Sequence, residues 1–329
     1  MAVDVFCDEV TDCRSQAAPS AAPLVSLVVP CYNEEAAVSV FHEEAVKALA
    51  AVDGRFELIF VDDGSNDGTL NVLRRISSTS PGRVRYISFS RNFGKEAAIL
   101  AGLQAARGEY IATIDADGQD PPSLIPRMLE CVASGEYDCA ATRRVNRAGE
   151  PPVRSFFARC FYSVMKKITD IEIVDGARDF RLMNRKYLDA LLELSERNRF
   201  SKGIFPWIGF KTKWFEYENI ERKEGKTKWS FWKLFLYSLD GIIAFSSKPL
   251  AVASVFGVLM FIAAISSIVI IVVRKLLWGD PVSGWASTVC VILFCSGIQL
   301  FTIGVLGQYM AKTYTEVKRR PHYVIREKN

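Results

Sequence analysis

From Leu24 onward, short apolar runs alternate with stretches whose apolar positions fall at helical intervals. LVSLVVP (24–30), FELIFVDDG (56–64), VRYISFS (84–90), EYIATIDADG (109–118) and residues 137–142 have the length and composition of buried strands. Between them, residues 34–51, 69–77, 95–106 and 122–134 are expected to be helices. Strand and helix alternating at this rhythm predict a doubly wound α/β domain, with a mostly parallel sheet covered on both faces. Ligands of such sheets gather at the carboxyl ends of the strands. Those ends carry the polar clusters Tyr32-Asn33-Glu34, Asp62-Asp63-Gly64 and Asp115-Ala116-Asp117.

The C-terminal pattern is different. Residues 250–273 carry no charge, and at about 1.5 Å rise per residue they make a helix of roughly 36 Å, enough to cross hydrocarbon with some tilt. Residues 286–307 are uncharged as well, and the short loop from Arg274 to Trp285 makes the pair a hairpin. Lys226, Lys228, Lys233 and Lys248 precede the first span; Lys312, Lys318, Arg319, Arg320, Arg326 and Lys328 follow the second. The positive-inside bias then places the large domain (24–228), the basic tail (311–329) and both ends of the chain in the cytoplasm. Residues 229–245 are aromatic and amphipathic, as in a helix lying on the membrane surface. Residues 1–23 lack a basic start and an apolar stretch, and are expected to be a flexible lead-in rather than a signal peptide.

Composition adds two exclusions. A net charge of +4 is too mild to argue for nucleic acid. The 8 cysteines show no CxxC pair and the chain has 2 histidines, so neither a zinc site nor a disulfide framework is expected.

The acidic clusters carry the chemistry. Asp62-Asp63-Gly64-Ser65 is compatible with turn chemistry alone. Asp115 and Asp117, if strand alternation continues, share one side with Cα atoms about 7 Å apart. Carboxylates that close call for a cation, and oxygen ligands suit Mg²⁺ or Mn²⁺, which in turn clamp a diphosphate and act as a Lewis acid.

PCYNEE (30–35), VDDGSNDGT (61–69), SRNFGKEAAILAGL (90–103) and DADGQDPP (115–122) resemble, in order and spacing, the family 2 glycosyltransferases. More narrowly, with the two terminal spans and RRPHYVI, they are similar to the polyprenyl-phosphate glycosyltransferases: dolichol-phosphate mannose synthases, bactoprenol glucosyltransferases and aminoarabinose transferases. The resemblance runs from about Leu24 to the C-terminus and implies a glycosyltransferase A-type domain. It implies that Pro30, Tyr32 and Glu34 line the nucleotide pocket, that Asp62 or Asp63 contacts uracil or ribose, and that Asp115 approaches the ribose and phosphate. Asp117 and Gln119 would hold the metal. The family usually has DADLQ, and Gly118 here stands where it has leucine. DGARDFRLMNR (175–185) matches the segment whose Asp is usually assigned as the base, with Asp179 the best match and Asp175 behind it.

The acceptor such an enzyme uses, a phosphate monoester with a second pKa near 6, is already ionised at neutral pH, so a base is optional. Cations matter more. Arg143, Arg144, Arg147, Arg154, Arg178, Arg181, Arg199, Lys202, Arg222, Lys226 and Lys228 lie between the donor clusters and the membrane segments. The reaction so implied is the inverting transfer of a hexose from a UDP-sugar to undecaprenyl or another polyprenyl phosphate, giving a lipid-linked sugar. Glucose is favoured over mannose or aminoarabinose by resemblance alone. A processive polysaccharide synthase is the rival within enzymes, but ERNRFSKGIFPW (196–207) holds no QxxRW motif. A non-catalytic membrane scaffold is the rival outside them. Gly257, Gly297, Gly304 and Gly307 on the spans offer close-packing faces for a homo-oligomer.

Overall fold

The computed structural model describes residues 23–50, 52, 55–144, 169, 174, 176–217, 241–278 and 284–329. Its strands are β1 (Val25–Cys31), β2 (Phe56–Asp62), β3 (Val84–Phe89), β4 (Tyr110–Thr113), β5 (Cys139–Arg144), β6 (Ala177–Asn184), β7 (Thr212–Tyr217) and β8 (Ile325–Lys328). The helices are α1 (Glu35–Ala50), α2 (Thr69–Thr79), α3 (Lys95–Ala105), α4 (Ile125–Ala133), α5 (Arg185–Glu193), α6 (Ser201–Trp207), α7 (Lys248–Trp278) and α8 (Trp285–Val317).

One sheet holds all eight strands in the order β7-β5-β6-β4-β1-β2-β3-β8. The centre, β4-β1-β2-β3, is parallel as expected. All seven positions of β2 are buried, the signature of a strand covered on both faces. One face packs Phe41 and Leu49 of α1, Leu73 of α2 and Met128 of α4 against Leu27 and Phe60. The other packs Ala98 and Leu103 of α3, Leu188 and Leu191 of α5, and Phe205 of α6 against Val28 and Val61.

Three features depart from the sequence pattern. First, β5 does not neighbour β4: β6 inserts antiparallel between them, so the flank of the sheet is mixed. Second, β4 stops at Thr113, four residues short of Asp117. Asp115 and Asp117 lie in the turn that follows, so strand alternation does not set their relation, and Gly118 holds a φ of 69° there. Third, the basic tail is not a free segment. Its last residues form β8, antiparallel to β3. Arg74 forks onto the Glu327 carboxylate at 2.8 and 2.7 Å, and Tyr323 stacks on Phe89 with centroids 4.8 Å apart.

The two long helices exceed the expected spans of 250–273 and 286–307. With 31 and 33 residues, they reach roughly 46 and 50 Å. Within their apolar spans, Lys248–Ile271 and Val291–Val317, the large apolar side chains are bare, and among the described residues only Ala253, near the start of the first, is buried. A core helix of a water-soluble domain would be covered, whereas Ile262, Ile270, Leu293 and Phe301 are all more than half exposed. Helices this long and apolar can cross a bilayer, and a bare apolar surface of this extent associates with membrane. Pro249 sits in the first turn of α7, where its missing N–H costs nothing. Of the predicted interfacial helix, residues 229–240 lie outside the described residues; 241–245 are helical, and Phe245 packs on the face that holds Phe205. The end of α8 is tied to the domain, since Glu316 accepts the backbone N–H groups of Arg197 and Asn198 at 2.8 and 3.0 Å.

Candidate functional site

Two loops at the carboxyl ends of β1 and β2 are stitched to each other. Asn33, in the left-handed region at φ 54°, donates its backbone N–H to Ser65 Oγ and accepts the Asn66 N–H on its side-chain oxygen. Short polar side chains tolerate that conformation because they bond locally. The Glu34 N–H donates to Thr69 Oγ1, and Gly68 N–H donates to the Glu35 carboxylate. Asp62 is buried and accepts from Ser88 Oγ at 2.7 Å and Ser65 N–H at 3.0 Å. Asp63 accepts the backbone N–H groups of Phe93 and Gly94. Burial pushes its carboxyl up, and those two donors oppose the rise. Asp63 therefore braces the loop before α3. Gly64 is required by contact as well as by φ, since a Cβ there would lie 2.3 Å from the Arg91 carbonyl carbon. Asp62, Ser65, Asn66, Ser88 and Arg91 line a cleft of about 270 Å³.

The second centre lies where β4 and β6 meet the start of α3. Lys95 Nζ donates to Asp115 at 2.8 Å and to Asp179 at 2.5 Å, so one ammonium holds together a carboxylate from the turn after β4 and one from β6. Burial pushes the lysine down, but Asp115 and Asp179 outweigh it and hold it well above the usual range. Burial raises the Asp179 carboxyl, yet Lys95 and Lys202 hold it well below the carboxylate range. Arg178 forks onto Asp120 at 3.1 Å and stands 4.0 Å from Asp115. Tyr217 of β7 donates its hydroxyl to the same Asp120, and burial, followed by the Asp120 charge, pushes that phenol up to about 12. Asp117 Oδ1 accepts the Gln119 N–H at 3.1 Å, and Arg144 donates to Gln119 Oε1 at 3.0 Å.

The sequence-derived residues thus fall into separate places. Pro30, Tyr32, Glu34, Asp62 and Asp63 lie along the ends of β1 and β2; Asp115, Asp117, Gln119, Asp179, Arg144 and Arg178 lie together around β4 and β6. Arg143 points to the other face of β5 from its neighbour Arg144 and pairs with exposed Glu216 at 2.9 Å. Arg199 donates to the Leu194 carbonyl at 2.7 Å, in the loop before α6. Arg181 is buried, with its guanidinium carbon 3.4 Å from the Phe205 ring centroid. It also donates to the Arg178 carbonyl at 3.2 Å, so its guanidinium is built into the core. Asp175, Arg147, Arg154, Arg222, Lys226 and Lys228 lie outside the described residues. Lys95, Asp120 and Tyr217 join the site without having been singled out. Lys95 stands within SRNFGKEAAILAGL, and nothing local to that segment shows that β4 and β6 will meet it.

Asp115 and Asp117 with a nearby amide oxygen form an all-oxygen donor set, the kind Mg²⁺ or Mn²⁺ takes when phosphates complete the shell. Gln119 would have to leave Arg144 to join such a set. Among the described residues no three His, Cys, Asp or Glu side chains converge.

Residues 26–192 match the family described as glycosyl transferase family 2. The putative glycosyltransferase CsbB of Bacillus subtilis (strain 168) is 42% identical over 306 residues, 93% of this chain and 92% of its own length. An uncharacterized glycosyltransferase, sll0501 of Synechocystis sp. (strain ATCC 27184 / PCC 6803 / Kazusa), is 38% identical, covering 92% and 94%. The bactoprenol glucosyl transferase of Shigella phage SfII is 39% identical, covering 92% and 97%. The family match spans β1 to α5, the stretch that folds the parallel centre of the sheet and brings Lys95, Asp115 and Asp179 to one point, and on that ground this chain is a glycosyltransferase belonging to glycosyl transferase family 2.

Proposed function

We propose that the chain transfers glucose from UDP-glucose to undecaprenyl or another polyprenyl phosphate, with inversion, at the cytoplasmic face of a membrane. The observation that carries this is the pairing of a cation-rich polar centre (Lys95, Arg144 and Arg178 around Asp115, Asp117 and Asp179) with two bare apolar helices tied to the same domain. A lipid phosphate needs both. The names of the relatives support a bactoprenol-type acceptor and glucose as the sugar.

In the reaction, an oxygen of the acceptor phosphate forms a bond to the anomeric carbon as the bond from that carbon to the UDP oxygen breaks. The nucleophile arrives ionised. Asp179, held far below neutral by Lys95 and Lys202, is a poor proton acceptor at pH 7. Its role here is to hold Lys95 and, with it, the geometry between β4 and β6. Arg178 and Arg144 offer forks to phosphate oxygens. Asp117, with Asp115, would hold Mg²⁺ or Mn²⁺, which would supply Lewis-acid stabilisation of the departing diphosphate.

The pairing of β8 with β3 supports two crossings, since a tail that returns to its own sheet has passed through the bilayer an even number of times. The basic flanks favour the cytoplasm for that side.

Purified full-length protein in nanodiscs, given UDP-glucose, undecaprenyl phosphate and Mg²⁺, is expected to make a lipid-linked sugar. Asp117→Ala should lower turnover by about 10²–10³-fold, as losing a preorganised charge-stabilising group does. If no donor among UDP-glucose, GDP-mannose and a UDP-aminoarabinose yields lipid product, or if Asp117→Ala turns over like wild type, the proposal is wrong. A polymeric product would restore the synthase reading.

A further inference from the structure

The strand β8 does more than cover an edge. On β8, Glu327 meets Arg74 and the Tyr86 hydroxyl, while the pairing with β3 passes from Glu327 opposite Ser88 to Ile325 opposite Phe89, so Arg326 is the extra residue of a bulge. Arg326 lies beside Glu327 and lines the cleft formed by Asp62, Ser65, Asn66, Ser88 and Arg91. The strand is fixed along its length. Ser90 N–H donates to the Val324 carbonyl at 2.9 Å, Tyr86 N–H donates to Asn329 Oδ1 at 2.6 Å, and Tyr323 O–H donates to Gln104 at 2.6 Å. A residue from the far end of the chain is thereby held as a wall of the same cleft as the Asp62 loop.

We infer that β8 completes the donor site and that Arg326 is a binding residue for the nucleoside end of the nucleotide-sugar. This rests on the chain using a nucleotide-sugar donor, as proposed above. The cleft lies at the carboxyl ends of β2 and β3, whereas the Asp115–Asp117 turn follows β4. Two strand spacings of about 4.8 Å separate β4 from β2, so base and diphosphate occupy different places along this edge. A nucleobase edge presents both N–H and C=O groups. The Asp62 carboxylate accepts only and the guanidiniums of Arg326 and Arg91 donate only, a complementary set. A guanidinium plane also stacks on a flat ring.

The test is calorimetric titration of full-length protein in detergent with UDP, UMP and GDP, for wild type, Arg326→Ala, Arg326→Lys and Tyr323→Ala. Arg326→Ala is expected to weaken UDP and UMP alike by about ten- to a hundredfold, the effect of losing one charge-assisted contact. Donor KM should rise while kcat stays within about twofold. Arg326→Lys should fall between. Tyr323→Ala, which removes one anchor of the strand (the stack on Phe89 and the bond to Gln104) without entering the cleft, should weaken both nucleotides less than Arg326→Ala does. Because Arg74, Glu327 and Asn329 still anchor β8 in Arg326→Ala, loss of binding cannot be put down to a detached tail. UDP and UMP affinities within about twofold of wild type in Arg326→Ala overturn the inference while leaving the donor proposal standing. So does a loss for UDP that spares UMP, which would assign the guanidinium to the diphosphate. Wild type that binds none of the three nucleotides sinks the donor proposal and this inference together.

Discussion

Replacing Lys95 by methionine keeps the stem and removes the charge that holds Asp115 and Asp179 together. With the ammonium 2.8 and 2.5 Å from the two carboxylates, their oxygens stand no more than about 5 Å apart. At an effective dielectric constant near 20, two negative charges at that distance repel by roughly 3 kcal/mol. The side chains are 44% exposed for Lys95 and 20% for each aspartate, so solvent screening reduces the cost to about 1–2 kcal/mol. For a domain of this size that corresponds to a Tm lowered by roughly 3–6 °C at pH 7. The pH dependence gives the sharper test. Asp179 in the wild type is held below its ordinary value, so its contribution is present above about pH 4 and is lost as pH falls through the folded value. In the variant the unpaired carboxylates repel, and protonation relieves them. The Tm difference should therefore be largest at pH 7 and shrink as pH falls below about 4. Thermal unfolding of both proteins in detergent at pH 7 and pH 3.5 measures it; a difference that is absent at pH 7, or equal at both pH values, would refute the electrostatic account.

Two further predictions concern the framework. Gly102→Ala places a Cβ 2.2 Å from Val28 Cγ1, at a face where Val28 is fully buried, and such overpacking costs about 1–3 kcal/mol; denaturant titration should show the midpoint fall with α3 pushed off β1 and β2. Ile262→Asp, in the middle of α7, puts a charge on a stretch now uncharged and should cost roughly 3 kcal/mol of insertion free energy. A fractionation assay should show less protein in membranes, and unchanged partition would argue against α7 as a span.

The centre of the sheet was legible because its strands are short apolar runs closed by Gly, Asp or Ser, and the first three helices follow from apolar spacing. The flank was not. In β6 the buried face carries Arg181, whose guanidinium lies over the Phe205 ring and donates to the Arg178 carbonyl instead of reaching solvent, so the segment does not show a strand's apolar pattern. β8 is only four residues long and alternates Arg326 and Lys328 with Ile325 and Glu327; by composition it is a basic tail, and only its pairing with β3 makes it a strand. The site divides along the same line. Asp115 and Asp117 stand out as carboxylates in turn-forming company, whereas Asp179, inside β6, stands out only by the resemblance of its segment to the family. Lys95 and Tyr217 enter through contacts made 20 or more positions away in the chain, which local pattern does not encode. Adjacent cations also differ: Arg143 and Arg144 are one residue apart, yet alternation sends one to Glu216 and the other to Gln119.

The position of β8 in the chain has a consequence for how the protein is made. β3 is synthesised from residue 84, but its partner lies beyond both long helices. Until then the edge of β3 has unpaired N–H and C=O groups, a template for wrong pairing. The order of synthesis therefore runs sheet, hairpin, latch: the two apolar helices must be placed before the strand that closes the edge can return. A chain stalled at α7 or α8 would keep that edge of β3 open and would lack Arg326 at the cleft.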